Sequence, residues 1–193
     1  MQSLSKTHFS TRKLVISAMF SSISIFLGVT GLGFIKIPPV NATIMHIPVI
    51  IASILEGPIV GSIVGLIFGL FSMYQAVTTP TVVSFIFLNP IIALLPRILI
   101  GITSYYTYLL ISKRFNKIGI GISAAVGTFT NTFLVLYLAY ILYAENLASA
   151  FEVSNTAIAG VLTGIGVTNG IPEIIISTLV TIPVVIAIKK LKK

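Results

Sequence analysis

The chain has 193 residues, of which 56% are hydrophobic and only 8% are charged. A soluble domain carries roughly 25% charged residues because water must wet its surface, so this composition excludes a water-soluble globular domain and indicates a chain that faces lipid. The net charge of +8 does not indicate nucleic acid as a partner, because the basic residues form short clusters between long apolar runs, a pattern typical of membrane proteins. The absence of cysteine excludes disulfides, thiolate metal sites and cysteine nucleophiles.

Six apolar runs predict membrane spans. About 20 apolar residues cross the hydrocarbon core as a helix, and the sequence predicts a single transmembrane domain over 1–193 with spans at about 14–33, 42–55, 58–77, 86–111, 118–143 and 167–188. The second run is short, which is compatible with a tilted span, a re-entrant segment or a helix supported by its neighbours. The predicted fold class is therefore an all-α integral membrane protein, a bundle of six transmembrane helices.

The basic residues predict the orientation of these spans. With both termini cytoplasmic, ten of the twelve basic residues lie on the inner side, as the positive-inside rule requires: Lys6, Arg12, Lys13, Lys113, Arg114, Lys117, Lys189, Lys190, Lys192 and Lys193. An even number of spans satisfies this asymmetry, whereas five or seven would not. The outer side receives Lys36 and three loops, at about 34–41, 78–85 and 144–166, so a site beneath these loops is reached from outside.

Small residues recur at helical spacing on two of the spans. The third span carries glycines at every fourth position: Gly57, Gly61, Gly65 and Gly69. The first span carries two small-xxx-small pairs: Ser17 with Ser21, and Ala18 with Ser22. Such spacing predicts a face on which another helix approaches closely. Packing within the bundle is the favoured interpretation of the glycines and docking of another subunit the alternative, and both interpretations stay open for the first span.

Arg97 is the most informative single residue. It lies about eleven residues into the fourth predicted span, roughly 16 Å from its start at 1.5 Å per residue. A guanidinium at such depth usually faces a polar cavity or a counter-charge, and Pro96 beside it removes a backbone donor. One interpretation is a structural ion pair with Glu173, the acid well inside a span. The other is substrate binding, because the planar fork of arginine suits a carboxylate or phosphate.

Three amides join these charges on the last three spans. Asn89 heads the fourth span, Asn131 lies in the middle of the fifth, and Asn169 lies near the outer end of the sixth. Amides in hydrocarbon need partners and tend to point into the bundle. Together with Arg97 and Glu173 they predict a polar pocket that opens outward.

The remaining candidates carry weaker signals. Tyr137 and Tyr140 could form pocket walls, although anchoring at the membrane interface is the favoured role. His46 has no second histidine or cysteine nearby, which favours a hydrogen-bonded histidine over a metal ligand. The chain contains no Gly-x-x-x-x-Gly-Lys-Ser/Thr run for ATP phosphates and no aspartate for a Ser-His-Asp arrangement. We therefore expect no catalysis by this chain and no cofactor in it.

Several segments resemble a known family. They are Ala-Thr-Ile-Met-His-Ile-Pro at 42–48, Glu-Gly-Pro-Ile-Val-Gly at 56–61, Gly-Leu-Ile-Phe-Gly at 65–69, Asn-Pro at 89–90 and Leu-Pro-Arg-Ile at 95–98. The chain resembles the substrate-binding S component of energy-coupling factor (ECF) vitamin transporters, from the first span to the last and most specifically over 42–112. Within that family it is most similar to the members assigned to pantothenate.

The resemblance implies a multi-pass protein of a bacterial plasma membrane that binds a vitamin on its outer side. It further implies association with a transmembrane T component and two cytoplasmic ATPases, whose action topples the S component in the membrane. The loop from Gly33 to Val40 would act as a gate, hinged at Gly31 and Gly33 and stiffened by Pro38-Pro39. The small residues of the first span, Ser17, Ala18, Ser21 and Ser22, would meet the T component. Family members often have alanine at these positions, and the three serines depart from that pattern.

The resemblance also implies a ligand. Arg97 would pair with the carboxylate of pantothenate, and the amides would bind its other polar groups. The full set of candidate binding residues is Arg97, Asn89, Asn131, Asn169, Glu173, His46 and Tyr137. Riboflavin, folate, pyridoxine or a thiamine precursor remain alternative ligands. An ion-coupled secondary transporter with Glu173 as the proton carrier, and a structural membrane protein without a ligand, remain alternative functions.

Overall fold

The structure is a computed structural model that describes residues 10–37, 40–113 and 116–191. The elements are, in order, α1 (Thr11–Val29), β1 (Phe34–Ile35), β2 (Ala42–Thr43), α2 (Ile47–Glu56), α3 (Pro58–Thr78), a 3-10 helix (Ser84–Leu88), α4 (Pro90–Ser112), α5 (Asn116–Ala150) and α6 (Ile158–Leu191). The strands form an antiparallel hairpin in which Phe34 pairs with Thr43. Some residues named above lie outside the described ranges: Lys6, Pro38, Pro39, Arg114, Lys192 and Lys193.

Five of the described helices are long and apolar enough to cross a membrane, namely α1, α3, α4, α5 and α6. Their outward faces carry large apolar side chains such as Leu110 and Leu179, which are 78% and 66% exposed. Apolar surface of this extent marks contact with a membrane. The helical membrane fold predicted from composition is therefore confirmed, with α2 as a shorter sixth helix.

The second predicted span is only partly helical. α2 has 10 residues, which gives a length of about 15 Å, or half of the roughly 30 Å hydrocarbon core. A non-helical segment, 40–46, precedes it through the interior, where Ala42 and Met45 are at most 1% exposed. Backbone polar groups at this depth need partners from the protein because lipid offers none. Ser24 supplies one of them by donating from Oγ to the Met45 carbonyl at 3.1 Å.

Contacts between helix ends show which ends share a face of the bundle. Nη2 of Arg12 lies 3.1 Å from Oε1 of Glu56, which places the start of α1 beside the end of α2. The Lys189 ammonium donates to the Tyr108 hydroxyl, which places the end of α6 beside the end of α4. We call this face the basic end. It carries Arg12, Lys13, Lys113, Lys117, Lys189 and Lys190. The hairpin and the 79–89 segment lie at the other face, the hairpin end.

The glycines of α3 serve packing within the bundle, as the favoured interpretation predicted. A Cβ added at Gly65 would lie 2.1 Å from the carbonyl oxygen of Arg97 on α4. Cβ atoms added at Gly61 and Gly69 would lie 2.9 and 2.5 Å from the α4 backbone. The absence of side chains therefore lets α3 and α4 approach at the depth of Arg97. Gly57 has a different role, because its φ of 102° allows the tight connection between α2 and α3.

The long outer loop predicted at 144–166 is wrong, because α5 continues to Ala150 and α6 begins at Ile158. The stretch 144–150 contains neither glycine nor proline, and it continues as helix beyond non-helical backbone angles at Tyr143. Leu147 is 1% exposed and packs with Ile158 in an apolar cluster at the hairpin end. Burial in this cluster stabilises helix where hydropathy alone predicts a loop. The predicted start of the fourth span at 86 is also too early, since α4 follows the 3-10 helix and begins at Pro90.

Candidate functional site

A cavity of about 400 Å³ lies at the hairpin end of the bundle. Its walls come from the hairpin, α3, α4 and the 79–88 segment. The volume falls within the roughly 300–1,000 Å³ of small-molecule sites. Its polar and charged lining includes Asn41, Thr43, Ser72, Gln75, Ser84 and Arg97. The combination of a polar lining and a membrane-embedded arginine makes this cavity the candidate ligand site.

Arg97 is the charged group of this cavity. It lies seven residues after the start of α4, or about 11 Å along the helix axis, and is 4% exposed. Nη1 donates to the Ile92 carbonyl at 2.8 Å, and the guanidinium carbon lies 5.4 Å and 5.0 Å from the ring centroids of Phe68 and Phe87. Nε has no hydrogen-bond partner among the described residues. The guanidinium is thus held in place while donors remain for an anionic group.

Glu173 binds the hairpin rather than Arg97. Its Oε1 accepts the backbone N–H of Thr43 at 2.6 Å, and its Oε2 accepts the hydroxyl of Thr132 at 2.7 Å. Within the described part of the chain, Glu173 and Arg97 form no ion pair of 4 Å or less. Glu173 therefore provides the hydrogen-bond acceptor for the backbone N–H of Thr43, in the 40–46 segment.

Asn169 lies one helical turn before Glu173 on the same face of α6. Its Nδ2 donates to the carbonyl of Val40 at 2.7 Å. Val40 and Thr43 both line the cavity, so the two α6 side chains bind the backbone of a segment that forms part of the cavity wall. Through the contact to Val40, α6 holds the last residue of the 33–40 loop that the family resemblance identified as a gate.

His46 and Asn131 are buried in the interior. His46 is fully buried, and its Nε2 lies 2.9 Å from Oγ1 of Thr128. The tautomer of the ring decides which of these two atoms donates the hydrogen. Among the residues described, Nδ1 of His46 and Oδ1 of Asn131 have no hydrogen-bond partner. Both groups therefore retain hydrogen-bonding capacity.

Two predicted binding residues have other contacts. Asn89 caps α4, where its Oδ1 accepts the N–H of Ile91 at 2.9 Å, which is the usual role of asparagine before a helix. Tyr137 is 50% exposed and stacks on Phe133 with a centroid distance of 5.7 Å. It faces an apolar groove between α5 and α6. Of the seven predicted binding residues, all within the described ranges, Arg97 alone lines the cavity of about 400 Å³; binding by the others stays a prediction.

The contribution of α3 is not among the predicted sites. Phe68, Ser72 and Gln75 line the cavity from α3, and Thr79 lines it directly after the helix ends. Their spacing of four, three and four residues is that of one helix face. Gln75 donates from Nε2 to the Gly28 carbonyl at 3.2 Å, which leaves its Oε1 as an acceptor. Polar residues at helical spacing within an apolar span were the signal that could have identified this wall.

The two small-residue pairs of α1 differ in exposure. Ser17 and Ser21 are 5% and 4% exposed and face the interior of the bundle. Ala18 and Ser22 are exposed, and the Ser22 hydroxyl donates to the Ala18 carbonyl at 2.9 Å. Of the four predicted contact residues, the outward pair is thus the one that another subunit can reach without rearrangement of α1.

The fold and the cavity define a multi-pass membrane protein with a solute-sized site at one end of its bundle. Residues 12–185 match the family described as ECF transporter, substrate-specific component. The chain is 36% identical over 166 residues to the pantothenic acid transporter PanT of Lactococcus lactis subsp. cremoris, covering 79% of this chain and 80% of that protein. It is 32% identical over 182 residues to the pantothenate transporter PanT of Leuconostoc mesenteroides subsp. mesenteroides, covering 86% of each. The chain belongs to the ECF substrate-specific component family, which confirms the resemblance of its sequence segments.

Proposed function

We propose that this protein captures pantothenate at the outer face of a bacterial plasma membrane, as the S component of an ATP-driven ECF importer. The observation that carries the proposal is the guanidinium of Arg97, held within a solute-sized cavity with free donors. The names of the two PanT relatives support pantothenate as the ligand. Family membership favours this function over an ion-coupled transporter or a purely structural protein.

The chemistry of pantothenate matches that of the cavity. The ligand carries one carboxylate, which pairs with Arg97, and hydroxyl and amide groups, for which Ser72 and Gln75 provide hydrogen-bonding atoms. Its dimethyl-substituted carbon suits contact with aromatic rings such as Phe87. His46 and Asn131 provide further polar groups in the interior, and Oδ1 of Asn131, which has no partner among the described residues, accepts from a donor group of the ligand.

The proposed orientation has six membrane-crossing segments and both termini in the cytoplasm. The positive-inside rule places the basic end inward, so the cavity at the hairpin end opens outward. A transmembrane T component and two cytoplasmic ATPases complete the importer, and ATP hydrolysis takes place in those partners. The exposed pair Ala18 and Ser22 forms the contact with the T component, because small side chains let another helix approach closely.

The test is calorimetric titration of a panel of B vitamins into the purified protein in detergent. We expect tight binding of pantothenate and a loss of about 10- to 150-fold in affinity for Arg97→Ala, since hydrogen bonds to charged groups contribute about 1.5–3 kcal/mol. Arg12→Ala, which removes an exposed arginine at the basic end, is the matched control and should bind as the wild type does. Binding of another vitamin would overturn the ligand assignment, and binding of none by folded protein would overturn the proposed function.

A further inference from the structure

Pro96 leaves one backbone carbonyl of α4 without its helical partner. In an α-helix the carbonyl of residue 92 accepts the N–H of residue 96. Proline has no N–H, and its ring also pushes against the carbonyl four residues earlier. Ile92 is fully buried, so water does not reach this carbonyl, and a buried carbonyl without a partner costs free energy.

The side chain of Arg97 fills this vacancy. Its Nη1 donates to the Ile92 carbonyl at 2.8 Å, in a buried contact. The side chain therefore runs back toward the start of α4, the direction that helical side chains favour. There its guanidinium lies within 5.4 Å of the Phe68 and Phe87 ring centroids, and both rings line the cavity. One donor and two rings thus fix the group, while the other donors stay available.

We propose that Pro96 is a positioning residue for ligand binding. By withholding its N–H, it reserves the Ile92 carbonyl for Arg97 and so aims the remaining guanidinium donors into the cavity. An alanine at position 96 would offer an N–H to the same carbonyl and compete with Nη1, which would free the arginine to take other rotamers. The identity of the ligand rests on the proposed function, but the contact between Arg97 and Ile92 exists without any ligand.

The first test uses ligand-free protein, in a double-mutant cycle of Pro96→Ala and Arg97→Ala on the unfolding temperature. Removing the arginine leaves the Ile92 carbonyl unpaired only where Pro96 is present. The change in unfolding temperature caused by Arg97→Ala should therefore be about 2–4 °C more negative in the wild type than in Pro96→Ala. Pro183→Ala, which alters a proline inside α6, is the matched control and should be additive with Arg97→Ala. Additive effects in the Pro96 cycle would overturn the inference.

The second test separates positioning from general distortion of α4. Affinities are measured for pantothenate and for its neutral analogue in which a primary alcohol replaces the carboxylate. Pro96→Ala should weaken pantothenate about two- to tenfold and leave the alcohol nearly unchanged. Equal weakening of both ligands would overturn the proposal. Lactic acid introduced at position 96 by nonsense suppression gives an alanine side chain without the N–H, so it should restore the affinity for pantothenate.

The two conclusions fail in different ways. If the wild type does not bind pantothenate, the proposed function fails, and the unfolding cycle still decides whether Pro96 reserves the carbonyl for Arg97. If the wild type binds pantothenate and Arg97→Ala does not, but Pro96→Ala binds like the wild type, the proposed function stands and the positioning role fails.

Discussion

Substitution of Asn169 should loosen the wall of the cavity. Asn169→Ala removes the 2.7 Å hydrogen bond to the Val40 carbonyl and leaves the contact between Glu173 and Thr43 in place. A single buried hydrogen bond contributes about 0.5–1.5 kcal/mol net. The opening equilibrium of the 40–43 segment should therefore rise about two- to twelvefold, at a factor of ten for each 1.4 kcal/mol.

Thiol labelling measures this opening without any ligand. The chain has no cysteine, so Ala42→Cys introduces a single thiol at a fully buried position of the hairpin. When closing is faster than labelling, the labelling rate follows the population of the open form. We expect the rate with a water-soluble maleimide to rise about two- to twelvefold when Asn169→Ala is added.

A matched control and a ligand experiment complete this prediction. Asn155→Ala removes an exposed asparagine from the 151–157 loop and should leave the labelling rate unchanged. Pantothenate should dissociate faster from Asn169→Ala by a similar factor, because the segment that opens is a cavity wall. Equal labelling rates with and without Asn169 would refute the reasoning that α6 holds the loop through this bond.

Three further predictions concern packing, assembly and the guanidinium. Gly65→Ala should lower the unfolding temperature, since overpacking costs about 1–3 kcal/mol. Gly164→Ala has nothing within 4 Å of the added Cβ, so it should raise the unfolding temperature through the roughly 0.5–1 kcal/mol helix preference of alanine. Shifts of the same sign in the two variants would contradict this prediction. Ala18→Leu should reduce co-purification of the T component while pantothenate affinity stays at the wild-type value. Co-purification at the wild-type level would show that Ala18 is not part of the interface. Phe87→Leu should weaken pantothenate about two- to thirtyfold in calorimetry by removing a cation–π contact, and an unchanged affinity would show that the ring does not hold Arg97.

Much of the bundle follows from local properties of the sequence. Five long apolar runs predict helices wherever lipid is the solvent, because helical backbone satisfies itself there. The glycine spacing of α3 predicts close packing, and Gly65 meets the α4 backbone as expected. Arg97 could be identified as a site residue because a charge deep in a membrane span is costly and usually faces a polar cavity or a counter-charge, and the structure places it in the cavity.

Features that depend on distant partners could not be predicted in this way. The depth of Glu173 was evident from the sequence, but its partner Thr43 lies on the hairpin, 130 positions away. The helical extension of α5 depends on burial of Leu147 in the apolar cluster that includes Val83 and Ile158. Hydropathy along the chain does not show which distant residues form such a cluster. The sequence shows that Pro96 lacks an N–H. It does not show that Arg97 binds the vacant carbonyl of Ile92, because that contact depends on the direction of the Arg97 side chain.

The short α2 has a consequence for how the protein enters the membrane. The ten residues of α2 are too few to partition into a bilayer as an independent span, and the 40–46 segment takes backbone partners from Ser24, Asn169 and Glu173. Glu173 belongs to α6, which leaves the ribosome after α1 to α5. The segment between α1 and α3 therefore reaches its final depth only after α6 has been synthesised, so the cavity wall is completed after the first five helices have been made.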